Sequence, residues 1–145
     1  MHQIHYTQPL VYLQDNGNIL IAKSWHVVYD NWYIDIPVGF VSDGNSVPRW
    51  FRGLVPKFGR NTLAGIVHDY VYYTGCVTRQ MDAEHKDIII TITRKTADQI
   101  RHDICCKCSV PKYQTFLSYL GLRLGGFMAW RAHRKRETLR KQVNV

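Results

Sequence analysis

A histidine followed directly by a carboxylate, His68-Asp69, with a tyrosine four residues on at Tyr72, is the chain's best candidate for acid–base chemistry. On a helix, positions i and i+4 share a face, so His68 and Tyr72 stand one above the other. Gly65, one turn earlier, leaves room beside the imidazole. A histidine next to a carboxylate in mid-helix is costly to bury unless partnered. The pair is therefore either open to a cleft, with His68 as a general base, or tied into a structural hydrogen-bond network. A second group lies in the loop Val38 to Arg49, where Asp43 and Asn45 flank Gly44. Two side-chain oxygens and turn carbonyls can coordinate a hard divalent cation. The same residues also fit an Asx-turn, whose carboxylate only satisfies backbone N–H groups. A third group, Arg94 to Asp98, opens a later helix. There Asp98 either stabilises the helix N-terminus through its dipole or accepts the second ring N–H of His68 and fixes its tautomer, as acid–base dyads require.

The elements that must position these groups are legible from periodicity. Up to residue 36 the chain alternates apolar and polar side chains between turn residues, the pattern of a small antiparallel β-meander. Its runs are Val11 to Leu13, Ile19 to Ala22, Trp25 to Tyr29 and Trp32 to Ile36, broken at Asp15-Asn16-Gly17-Asn18 and at Asp30-Asn31. Residues 37–60, with Pro37, Pro48 and Pro56 among four glycines, form a long loop of the kind usually kept for function. A 3.6-residue period then predicts a helix over 62–74, capped by Asn61 or Thr62 and stopped by Gly75. Cys76 to Gln80 and Asp87 to Thr93 predict a β-hairpin inserted between helices. Two helices follow, one from Lys95 or Thr96 to Cys108 and one from Lys112 to Arg134 or beyond, with a frayed basic tail after Lys135. The expectation is a single α+β domain over 1–134 and a basic tail over 135–145.

Composition narrows the classes. A chain of 145 residues with 46% hydrophobic and 21% charged side chains is an ordinary folded domain, too short for a barrel, a doubly wound enzyme or a repeat array. The net charge of +8 lies entirely in residues 76–145, which carry 14 basic and six acidic side chains, whereas residues 1–75 carry five of each. The basic C-terminal region suits an anionic membrane surface or phosphate, and with no nucleic-acid motif beside it, sequence-specific reading of nucleic acid is not expected. Cys76, Cys105, Cys106 and Cys108 are too few and too clustered for a disulfide framework. Adjacent cysteines on a helix diverge by about 100°, so buried thiols are favoured over a zinc knuckle. The start of the chain has no secretory pattern, and no apolar run approaches the roughly 20 residues of a spanning helix.

Three segments together, Gly39-Phe40-Val41-Ser42-Asp43-Gly44-Asn45-Ser46-Val47-Pro48-Arg49, His68-Asp69-x-x-Tyr72 and Arg94 to Asp98, resemble a domain-of-unknown-function family of tailed-phage and prophage proteins. The likeness extends from about Pro37 to Trp130. It implies a virion or infected-host-cytoplasm setting, with a virion or host-envelope component as partner. It also implies roles in substrate or partner binding for Ser46, Arg49 and Arg94. The order of loop, His-Asp-x-x-Tyr helix, hairpin and Asp-bearing helix is, more remotely, similar to the core of calcium-dependent secreted phospholipases. That similarity implies His68 as base, Tyr72 as support, Asp98 as orienter and Asp69 as a metal ligand. In the phage-family pattern Asp82, after Arg79, is the alternative to Asp98, and the loop's Asp43 and Asn45 would join Asp69 around a divalent cation, calcium or zinc. The reading that follows is a metal-assisted hydrolase acting on an ester, amide or phosphoester. The alternative is a non-enzymatic virion or assembly protein in which the same residues form a buried network.

Overall fold

Most alternating runs become strands that bury one side, as Ile19 and Ile21 or Trp25, Val27 and Tyr29 do, whereas Val11–Leu13 forms a strand that stays exposed. The computed structural model describes residues 2–44, 53–80 and 87–143. Eight strands and three helices follow in the order β1 (Ile4–Tyr6), β2 (Val11–Leu13), β3 (Ile19–Ile21), β4 (Trp25–Tyr29), β5 (Trp32–Ile36), β6 (Val41–Ser42), α1 (Thr62–Thr74), β7 (Cys76–Gln80), β8 (Asp87–Thr91), α2 (Arg94–Lys107) and α3 (Lys112–Val143). The fold is α+β, with an N-terminal antiparallel β region followed by helices.

The strands make two sheets where a single meander was expected. The larger has the order β1-β4-β5-β7-β8 and the smaller β2-β3-β6, all pairs antiparallel. The Asp30-Asn31 turn holds β4 and β5 in the register Val27↔Ile34 and Trp25↔Ile36, so all four side chains lie on the buried face. The predicted hairpin β7–β8 is no free insertion. Its first strand pairs with β5 through Tyr33↔Thr78 and extends the large sheet. Val77, the inward residue of β7, gives the pairing its apolar return.

The helices close over this face with Ile66, Val67 and Val71 from α1 and Ala97, Ile100 and Ile104 from α2. Helix α1 has the predicted bounds, and Gly75 ends it in the left-handed conformation at φ +67° with its N–H on the Val71 carbonyl. Its start differs from expectation. Asn61 makes no capping bond and instead donates its amide to the Pro56 carbonyl, tying the loop down. Helix α2 is capped by Thr93, whose side chain accepts from the Thr96 N–H. Asp98 therefore lies beyond the first turn and is no dipole cap. It is fully buried. Helix α3 runs on through the expected basic tail to Val143, where Arg134 donates to the carbonyls of Tyr72, Tyr73 and Thr74 and so satisfies the end of α1. No helix among the described residues is long and apolar enough to cross a membrane.

Candidate active site

The short strand β6 delivers the loop to α1. Gly39, at φ +85°, turns the chain so that its N–H reaches the Ile21 carbonyl while Ile21 N–H reaches Phe40. Only a residue free of a Cβ takes that conformation cheaply. Ser42 is then buried against α1, donating its hydroxyl to Asp69 Oδ2 at 2.5 Å and accepting from the Gly44 N–H at 3.0 Å. Asp43 follows at the rim of a cavity of about 880 Å³ that His68, Asp69 and Tyr72 also line. Asn45, Ser46, Arg49 and Asp82 lie outside the described residues.

His68 and Asp98 meet as the dyad reading requires, with Nε2 at 3.1 Å from Asp98 Oδ1. Asp98 Oδ1 also accepts the Tyr72 hydroxyl at 2.5 Å, and Oδ2 accepts Arg123 Nη1 at 2.8 Å. Burial works against the charge of Asp98, but the hydrogen bonds from His68, Tyr72 and Arg123 outweigh it and hold the carboxyl below its usual range. An ionised Asp98 makes Nε2 the protonated ring nitrogen, which leaves the lone pair on Nδ1. Nδ1 stands 4.0 Å from Asp69 Oδ1, and both residues line the cavity. Burial depresses the His68 pKa, against the opposing pull of Asp98, so the imidazole is neutral at pH 7, as a proton acceptor must be. Tyr72 is pushed upward by burial and then by Asp98, which makes it a permanent donor.

Asp69 behaves oppositely. Burial and then the neighbouring Asp43 carboxylate push it up to about 8. A carboxyl kept protonated by burial and a neighbouring carboxylate is in the electrostatic condition that a hard cation relieves. Among the described residues no group of three or more His, Cys, Asp or Glu is placed to hold a metal ion. Side chains thus supply two carboxylates, and neutral oxygens would have to complete the shell. The cysteines lie elsewhere: Cys105 is in the core with its thiol pushed up to about 11 by burial, Cys106 is exposed, and Cys108 meets the Tyr6 hydroxyl at 3.0 Å. An all-oxygen donor set fits calcium better than zinc.

Arg94 is engaged away from the cavity, donating to the carbonyls of Leu122 and Arg123 on α3 while its guanidinium stays 3.6 Å from Asp98. Sequence reasoning passed over three contributors. Arg123 stands between Leu122 and Leu124, a lone charge among apolar residues whose partner is the buried Asp98. Arg101, buried beside the cavity, opposes protonation of His68. Gly126 lets α3 approach, since a Cβ there would sit 2.7 Å from the Tyr72 hydroxyl. Helical glycines cost about 1 kcal/mol relative to alanine, and that cost is the overlooked sign of close packing.

A contrast between adjacent glycines tests this approach. At Gly125 an added Cβ meets nothing within 4 Å. Gly125→Ala is expected to stabilise by about 0.5–1 kcal/mol through helix propensity. Gly126→Ala must displace a hydroxyl fixed by Asp98, and net destabilisation of about 1 kcal/mol is expected. Urea unfolding of both variants decides it, and equal shifts would show that Tyr72 yields freely.

Residues 8–122 match the model of a family described as "Protein of unknown function (DUF1353)". No curated protein and no solved structure matches the chain. The matched stretch holds the loop, the His68–Asp98 pair and Asp69, and it ends one residue before Arg123.

Proposed function

From the chain's membership of the DUF1353 family, whose description names no reaction, and from the geometry of its cleft, we propose that the protein is a metal-assisted hydrolase. The observation that carries this reading is the oriented dyad: Nε2 of His68 is engaged by a buried, ionised Asp98, while Nδ1 stands 4.0 Å from Asp69 Oδ1 and His68, Asp69 and Asp43 line one cavity. A water held at Nδ1 would lose its proton to the ring as its oxygen bonds to an acyl carbon or a phosphorus. Asp98 offsets the charge of the imidazolium so formed, which then returns the proton to the leaving group. Tyr72 and Arg123 keep Asp98 from turning. Asp43 and Asp69 would hold a divalent cation, calcium by the chemistry of their oxygens, which when bound polarises the scissile carbonyl or phosphoryl group. The likeness to calcium-dependent phospholipases agrees with these roles, and the loop motif Gly39 to Arg49 supplies the phage setting of the proposal.

The second reading is a structural protein of the phage particle. It is favoured by the completeness of the Asp98 network, which a locked scaffold would equally want.

Cation binding separates them. Asp69 must give up its proton to take a cation, and its pKa is about 8. Calcium at millimolar concentration is expected to raise the melting temperature clearly at pH 8.5 and much less at pH 6.5, because proton and cation compete. Asp69→Asn should abolish the shift at both pH values. A melting temperature indifferent to calcium, magnesium, manganese and zinc at pH 8.5 would sink the metal-assisted reading and favour the scaffold.

A further inference from the structure

The outer face of α3 is apolar where a surface helix should be polar. Tyr113, Phe116, Leu120, Leu124, Phe127 and Met128 recur at spacings of three and four, so they form one stripe, and each is at least 42% exposed, Leu124 and Met128 70%. The same line continues one and two turns on as Arg131 and Lys135, both exposed, with the Arg131 guanidinium 5.7 Å from the Phe127 ring. Leu120 and Leu124 belong both to this stripe and to the wall of the cavity. Val41, 45% exposed, also lines the cavity, and an apolar line runs from it across the small sheet through the register Val41↔Leu20↔Tyr12 to Tyr12, 63% exposed. Two exposed apolar surfaces thus converge on one cavity mouth.

We propose that this surface docks on an anionic lipid bilayer, with α3 lying in the interface and the cavity mouth facing the lipid. Charge selects the occupant. A second copy would bring another net charge of +8, whereas anionic headgroups complement Arg131, Lys135 and the basic turns beyond them. Nucleic acid offers phosphate but gains nothing from six exposed apolar side chains. A bilayer interface takes both parts of the stripe at once: aromatic and aliphatic groups enter the acyl boundary while basic groups meet the headgroups. Lying on the surface also agrees with the absence, among the described helices, of one able to cross. The proposal concerns binding alone, so it stands or falls separately from the chemistry assigned to His68.

The test is co-sedimentation of the full chain with phosphatidylcholine vesicles, with and without phosphatidylglycerol. Binding is expected only when the anionic lipid is present. Arg131→Gln with Lys135→Gln should weaken it roughly 30-fold at low salt and reduce its salt dependence. Leu124→Glu with Met128→Glu should abolish it while leaving the circular dichroism unchanged, since both side chains are exposed. Equal binding to neutral vesicles, or binding untouched by the Leu124/Met128 pair, overturns the proposal. So does a doubled molar mass by light scattering that reverts to monomer in that pair, which would assign the stripe to a second copy.

Discussion

Asp98→Ala is expected to cost the fold about 3–5 kcal/mol, the usual result of removing one partner from a buried charge network. The wild-type carboxylate has no exposed surface and takes three donors, His68 Nε2, the Tyr72 hydroxyl and Arg123 Nη1, from two different helices. Alanine leaves the His68 and Tyr72 donors facing a small apolar void, while Arg123, about 30% exposed, can turn to water. For a domain of this size the loss corresponds to a fall in melting temperature of roughly 10 °C or more. Asp98→Asn keeps the shape but loses the charge and offers an N–H toward other donors, so a smaller loss, about 1–3 kcal/mol, is expected. Guanidinium unfolding of both variants measures the difference. A cost below about 1 kcal/mol for Asp98→Ala would mean that the network is not a principal stabiliser of the helix packing. Any further fall in catalytic rate would then report on orientation of the ring.

His68→Gln is expected to lower turnover of a hydrolysable ester, amide or phosphoester by at least about a thousandfold, the upper range for loss of a general base. The glutamine amide can still donate to Asp98, yet it has no basic lone pair, so stability should change by no more than about 1–2 kcal/mol. Wild-type turnover should fall as pH drops through a value below the ordinary imidazole range, because burial depresses the His68 pKa and only the neutral ring accepts a proton. Stability follows the same direction: the unfolded chain takes up that proton first, so acid in this window favours unfolding. The decisive comparison is rate against melting temperature in one variant. Lost stability with no wild-type turnover on any of the three substrate classes would transfer the dyad to the structural reading.

Much of the local structure was legible because it is set by local torsional preferences. The stripe Leu63, Ile66, Val67 and Tyr70 with Gly75 behind it marks α1 to the residue, and the β-branched runs mark β7 and β8. The chemistry-bearing residues His68, Asp69, Tyr72, Asp43 and Asp98 were also legible, from side-chain type and spacing. Their partners were legible only in part: the His68–Asp98 contact was one of two readings of Asp98, and the structure selects it. Asp98 lies 30 positions from His68, and its placement beyond the first turn of α2 turns it from a cap into the floor of a buried network. The role of Arg123 depends on α3 packing across both other helices, and that of Gly126 on how closely α3 approaches Tyr72.

The sequence by itself therefore determined the order and type of most elements, the α+β class and the residues able to take or give a proton, since these depend on periodicities of two and 3.6 residues and on side-chain chemistry. Only the tertiary structure decided that β7 and β8 join the large sheet, that Ser42 and Asp43 stand beside Asp69, and that an apolar stripe shares its leucines with the cavity wall. Those facts rest on contacts between residues tens of positions apart. No local rule supplies such contacts, because burial rewards whichever surfaces the whole chain can bring together.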